Sequence, residues 1–261
     1  MFDFHIHSDV SFDGRAKAID MARAAAGNGI RELCFTDHLD YDPRGIMKDL
    51  AFDTEKYNAA YDDLEVPGLI IRKGAEFGML RSNADTLKED LKRREFDFIL
   101  GSCHFTEDLD IYFPPFWGGK TMDQAERLYF EEILACVQAH DDFDVLGHLT
   151  YISKAQSNPT HRQVSYTRHR EVIDEILRTL AQKGKGIEVN TSGVDVCGGF
   201  LPEAEFLRRF KELGGKIVTV GSDAHDEKRA GQHCREAAKM VSDIYGYVCT
   251  FSAREPVFHR L

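Results

Sequence analysis

Asp3-Phe4-His5-Ile6-His7-Ser8 stands at the start of the chain, and the reading of its two histidines decides the fold. In a β-strand, side chains two apart share a face. His5 and His7 are therefore expected to project together, with Phe4 and Ile6 on the opposite side. Two imidazoles beside a carboxylate begin a metal site. Two histidines on a half-exposed edge strand would leave the same local pattern, so the choice rests on the remaining chain.

Outward from this stretch, short apolar runs alternate with amphipathic helical stretches, the pattern of a parallel sheet. Strands are expected over residues 2–6, 31–36, 69–76, 96–100, 143–147, 186–190 and 216–220. Helices are expected over 16–26, 55–64, 84–94, 123–139, 165–182, 203–213 and 232–244, with a short apolar tail at 247–251. Glycines follow several helices, as at Gly214-Gly215, where a helix is expected to stop. There is no repeat, low-complexity tract or Pro/Ser-rich linker, and residues 1–261 read as one domain.

Each strand carries a metal-competent side chain at its C-terminal end: His5 and His7, Asp37 and His38, Glu76, His104, His148, Glu188, and Asp223 with His225. Functional residues of barrels gather at those ends. A closed ring would bring the whole set to one mouth, whereas an open doubly wound sheet would string it along an edge. The reading is an α/β fold, a distorted (β/α)7 TIM-like barrel. Six of the eleven histidines lie at strand ends. The other five, His140, His161, His169, His233 and His259, read as solvated or packed side chains.

The composition is 43% hydrophobic and 30% charged, with a formal net charge of −11. That balance argues against broad nucleic-acid binding, which needs a basic face, but permits an anionic substrate where bound cations invert the local potential. No apolar run approaches the ~20 residues of a membrane span, and the N-terminus has no basic flank and apolar core of a secretory signal. Six scattered cysteines without a C-x-x-C pair argue against a zinc knot or disulfide scaffold and favour a reducing cytoplasm.

In order and spacing, His5-Ile6-His7-Ser8, Thr36-Asp37-His38, Gly74-Ala75-Glu76, His104-Phe105, Gly147-His148 and Gly221-Ser222-Asp223-Ala224-His225 resemble the polymerase-and-histidinol-phosphatase (PHP) superfamily of metal-dependent phosphoesterases. Phe12-Asp13-Gly14, Glu188-Val189-Asn190-Thr191-Ser192-Gly193 and the segment from Phe206 to Gly214 resemble its histidinol-phosphatase branch. The resemblance implies a seven-stranded barrel with three divalent cations, zinc, manganese or iron. His5, His7, Glu76 and Asp223 would hold one. Glu76 would bridge to a second, completed by His104 and His148. Asp13, His38 and His225 would hold the third. Glu76, Asp223 and His225 are then the candidate catalytic residues, and Lys154 and His38 the candidate substrate contacts. Cys103, beside His104, is expected on the opposite face of its strand.

The implied reaction is hydrolysis of a small anionic phosphate ester by a water that the cations activate. Histidinol phosphate, from histidine synthesis, is the leading substrate; another phosphorylated metabolite or a nucleotide is the alternative, since one barrel family hosts many substrates. Amidohydrolases also open with a His-x-His strand but supply a modified lysine mid-barrel, where this chain has His104. Arg162 and Lys120 are weaker candidates for phosphate contact than Lys154. Tyr112-Phe113-Pro114-Pro115-Phe116-Trp117 reads equally as a lid over the cleft, as core packing or as an oligomer contact. Glu188 and Asn190 read either as groups that support the ligands from behind or as substrate contacts, with a simply buried, paired group a further reading for Glu188. The oligomeric state is not legible.

Overall fold

Strand pairing follows chain order. The computed structural model, which describes residues 1–48 and 50–261, contains seven parallel strands: Phe2–Ile6, Glu32–Phe35, Ile70–Gly78, Phe98–Ser102, Val145–Leu146, Gly186–Asn190 and Val218–Gly221. Each is hydrogen-bonded to its neighbour in sequence. The first and seventh meet beyond their ends, where Ile6 bridges Ala224. There the Asp223 amide donates to the His5 carbonyl at 2.7 Å and the His7 amide to the Ala224 carbonyl at 2.9 Å. The sheet is thus nearly closed into a barrel, as the strand-end side chains require.

Two irregularities shape the mouth. The second strand stops at Phe35 and resumes as His38–Leu39, which pairs with Glu76 and Phe77 of the third strand. The break uses up Thr36 and Asp37, whose carbonyls both accept from the Glu76 amide, at 3.2 and 3.1 Å. The first strand shifts register against the second between Asp3 and Ile6. Strict alternation would put Phe4 and Ile6 on one face, but they separate. Ile6 joins the main core, whereas Phe4 joins a small cluster of Cys34, Phe98, Leu100, Val145 and Phe251. That cluster includes no helical side chain and fills the barrel below its mouth. A bulge changes which face a residue serves, and here it leaves His5 and His7 together.

Helices Ala18–Gly27, Thr54–Tyr61, Ala84–Arg93, Met122–Ala139, Arg170–Gln182, Ala204–Glu212 and Cys234–Tyr245 follow the seven strands. Two of these starts carry side-chain caps. Thr121 and Gln124 form a reciprocal capping box, and the Asp53 side chain accepts from the Lys56 amide at 2.9 Å. Arg170–Gln182 buries Ile173, Ile176, Leu177 and Leu180, a helical stripe facing the core. The helix expected to begin at 165 begins instead at Arg170, after a separate turn at Tyr166–Arg168. Buried His169 lies between them and pairs with Glu126 at 2.7 Å.

The expected apolar tail is a hairpin. Val248–Ser252 turns at Ala253 and Arg254, both in the left-handed region at φ 49° and 68°, and returns as Glu255–His259. Phe251 enters the small cluster inside the barrel, and Arg254 Nη2 donates to Asp144 Oδ1 at 2.9 Å. The barrel is therefore plugged at its base and open at its mouth. All six cysteines are free thiols, and Cys103 lies in the main core as its strand parity requires. No helix among the described residues is long and apolar enough to cross a membrane.

Candidate metal centre

The strand ends open into a cleft of about 780 Å³ whose wall includes Asp13, His38, Glu76, His104, His148, Asp223 and His225. His5 and His7 lie buried behind that wall, against Glu76 and Asp223, both at 0% exposure. All six strand-end histidines converge here, and the other five lie elsewhere. His140 Nε2 donates to the Leu80 carbonyl at 2.7 Å, and His259 pairs with Thr250 at 2.7 Å.

Three groups of atoms face one another. His5 Nε2 lies 3.1 Å from His7 Nε2 and 3.2 Å from Glu76 Oε2, and Asp223 Oδ1 is 3.6 Å from both imidazoles. The second Glu76 oxygen, Oε1, lies 2.9 Å from His148 Nε2 and 3.3 Å from His104 Nε2. Asp13 Oδ2 lies 3.0 Å from His225 Nε2 and 3.6 Å from His38 Nε2. Each brings together side chains that the family resemblance assigns to one cation, and Glu76 faces the first two; His38 Nδ1 also lies 3.2 Å from Glu76 Oε2.

The partners of the outer ring nitrogens suit a cation-binding donor set. His5 Nδ1 faces Glu188 Oε1 at 2.8 Å and His7 Nδ1 faces Ser11 Oγ at 3.3 Å. His225 Nδ1 faces the Asp223 carbonyl at 3.0 Å. A proton on each Nδ1 leaves a lone pair on each Nε2. In that neutral form the Nε2 atoms of His5 and His7 point at each other and at two carboxylate oxygens, an arrangement that calls for an added proton or a cation. A cation satisfies that arrangement, and imidazole with carboxylate is a suitable ligand set for zinc.

Protein charges register the same crowding. Burial opposes ionisation of Glu76, yet His5, His38 and His104 hold its carboxyl well below the usual range. Burial likewise opposes ionisation of Asp223, which Lys154 and His5 hold far below its ordinary value. Burial, then His225 and His38, drives His7 down to about 3. Burial opposes protonation of His5 too, but Glu188, Glu76 and Asp223 push its imidazole well above the ordinary range, so adjacent rings shift in opposite directions.

Other side chains hold the set in place. Glu188 accepts from His5 through one oxygen and from the His148 amide at 2.7 Å through the other. A Cβ at Gly221 would fall 2.3 Å from Glu188 Oε1 and 2.3 Å from the His5 Cβ, so only glycine admits this pair. Asn190 donates to Glu188 and to Asp223, at 3.2 and 3.3 Å. Glu188 and Asn190 are thus buried, paired groups behind the mouth. Asp223 itself adopts φ 54°, a conformation uncommon outside glycine. Asp3 pins the neighbouring residue, accepting from the Ser222 amide at 2.8 Å and its hydroxyl at 2.6 Å.

Lys154 lines the cleft; its ammonium donates to Ser192 Oγ at 2.7 Å and pairs with Asp223. Arg162 and Lys120 are not among the wall residues. Lys120 instead donates to the Phe116 carbonyl at 2.8 Å. The aromatic segment divides: Tyr112 and Phe113 line the cleft, while Phe116 is fully buried in the core. Sequence reasoning missed Asp40, Asp110, Arg15 and Arg229, all at the wall. For Asp40 a signal existed, since it stands two residues after His38, the spacing that singled out His5 with His7.

A nearly closed parallel barrel whose strand ends gather six imidazoles and their carboxylates at one mouth defines a class of barrel proteins built for cation-assisted chemistry. The chain belongs to the PHP domain family, whose model matches residues 3–192. It is 29% identical over 256 residues to a histidinol-phosphatase of Lactococcus lactis, covering 96% of this chain and 94% of the relative. It is 30% identical over 242 residues to a probable histidinol-phosphatase of Thermotoga maritima, covering 92% and 91%. The crystal structure of the Lactococcus lactis histidinol phosphate phosphatase, complexed with zinc, L-histidinol and phosphate, superimposes with a TM-score of 0.82 at 26% identity over 98% of both chains.

Proposed function

We propose that this protein is a metal-dependent phosphomonoesterase that hydrolyses L-histidinol phosphate to L-histidinol and phosphate. The observation that carries the proposal is the shared carboxylate: Glu76 joins two of three ligand groups, in a chain alike over 98% of its length to a phosphatase that binds zinc, histidinol and phosphate. His5, His7, Glu76 and Asp223 would hold one cation, Glu76, His104 and His148 a second, and Asp13, His38 and His225 a third. Zinc, manganese and iron all suit this donor set. Bound cations would activate a water for attack on phosphorus and offset charge developing on the phosphoryl oxygens.

The remaining roles fall to side chains of the cleft. Lys154 supplies positive charge beside Asp223, where a phosphoryl oxygen would lie, and its hold on Ser192 aims it. Asp110 lies further along the wall with Tyr112 and Phe113. A carboxylate beside aromatic faces suits a cationic leaving group such as histidinol. Arg15, Lys48 and Arg229 also line the cleft and favour a second reading, a substrate with an additional anionic group. In this proposal residues 1–261 act as one domain, in the cytoplasm, on a small anionic ester.

Phosphate release is to be measured on L-histidinol phosphate, sugar phosphates and nucleotides, with zinc, manganese or iron supplied and then removed by chelator. Selective, chelator-sensitive turnover of histidinol phosphate is the expected result. Preference for a doubly anionic ester would transfer the assignment to the second reading.

A further inference from the structure

Asp40 is absent from the three ligand groups just proposed, yet it touches two of them. It is 6% exposed. Its Oδ2 lies 2.8 Å from His104 Nδ1, a hydrogen bond, and 3.4 Å from His38 Nδ1, an ion-pair contact that Glu76 Oε2 shares at 3.2 Å. The two imidazoles serve different groups. His104 turns Nε2 towards Glu76 Oε1 at 3.3 Å, whereas His38 turns Nε2 towards Asp13 Oδ2 at 3.6 Å. The other Asp40 oxygen has no hydrogen-bond partner and lies against Gly78. A Cβ at Gly78 would stand 2.2 Å from it, so glycine is required for Asp40 to sit where it does.

A carboxylate behind a histidine selects the tautomer that carries the proton on the near nitrogen and presents a lone pair on the far one. We infer that Asp40 is a positioning residue that sets His38 and His104 together, so that the second and third cation sites are coupled through one carboxylate. The inference rests on the three-cation reading. The imidazoles of the first site are set by Glu188 and Ser11 instead, and that site meets the second only through Glu76. Loss of Asp40 would leave His104 Nδ1 without its partner and His38 Nδ1 facing Glu76 alone, and the two sites would weaken as a pair.

The test uses the full chain as wild type, Asp40→Asn, Asp40→Glu and Gly78→Ala, loaded with zinc and dialysed against graded chelator. Metal per chain is read by elemental analysis. Imidazole tautomers are read by nitrogen NMR on both loaded and metal-free protein. Wild type is expected to hold three ions. Asp40→Asn is expected to keep one, and to lose the other two together at about 10–100-fold lower chelator, the usual worth of such an outer partner. Its His38 and His104 signals should change while His148 does not. Gly78→Ala should act in the same direction, and Asp40→Glu should recover part of the binding. Should Asp40→Asn not fold, Gly78→Ala with the tautomer signals decides.

Three independent ion losses, or unchanged His38 and His104 signals, would overturn the coupling. A wild type holding fewer than three ions would instead remove the three-cation reading. The metal-free spectra of Asp40→Asn would still show whether one carboxylate sets both rings.

Discussion

At the base of the barrel, Phe4, Cys34, Phe98, Leu100, Val145 and Phe251 fill the interior with apolar surface, each no more than 2% exposed. A few residues further along the same strands, at the mouth, the interior is filled by His5, Glu76, His104 and their partners. Both ends bury side chains, but they reward burial differently. Apolar burial is non-directional and stabilises roughly in proportion to area. Buried imidazoles and carboxylates cost free energy unless each atom meets an oriented partner. The base therefore needs only a plug of suitable size. The mouth needs Glu188, Asp3, Asp40 and Asn190 behind it, and still leaves four electron-rich atoms aimed at one point. Stability resides at one end, and the site that a cation would relieve resides at the other.

Substitutions at the two ends should separate these properties. Glu76→Gln removes the charge shared by two groups and is expected to abolish phosphate release from histidinol phosphate, with circular dichroism unchanged. Retained turnover would show that the bridge is dispensable. Phe251→Ala should do the reverse, costing about 3–5 kcal/mol of stability for a buried aromatic in urea unfolding while the folded fraction keeps its turnover. If it lowered turnover without changing stability, the division between base and mouth would be wrong.

Lys154→Ala should raise KM about tenfold or more, the worth of one charged hydrogen bond, with a smaller change in kcat. Steady-state kinetics across substrate concentration reads this directly. An unchanged KM would remove Lys154 from phosphate binding.

The smallest expected effect is on melting temperature. In the metal-free protein, burial works against protonation of His104, but Asp40 and Glu76 push it up to about 10 from an ordinary 6.5. Its pairing thus stabilises the fold fully below pH 6.5, and that contribution is lost as pH rises through about 10. Calorimetry on metal-free protein should show the melting temperature falling across this window. Zinc-loaded protein should fall less, since a cation then takes the proton's place. A melting temperature that rises with pH in the metal-free form would contradict the pairing.

Much of the mouth was legible in the chain. The nine side chains from His5 to His225 stand at strand ends, apart from Asp13 on the first loop, and strand ends in a parallel barrel face one way. The helices were legible within a few residues because caps and apolar stripes are local properties, as at Thr121 and along Ile173 to Leu180. The hairpin at Val248–Ser252 read only as a tail, since its turn at Ala253 and Arg254 uses left-handed residues without the glycine or asparagine that would announce it. The separation of Phe4 from Ile6 was invisible as well, because a register shift depends on the neighbouring strand.

Sequence alone therefore determined the parallel β/α order and the inventory of imidazoles and carboxylates, since strand period and helix capping act over a few residues. Tertiary structure alone decided which oxygen faces which ring nitrogen. Glu188 meets His5 across 183 positions and Asp40 meets His104 across 64, contacts that exist only once the sheet has curled towards closure. The orientation of each imidazole, and with it the chemistry of the mouth, belongs to that closure.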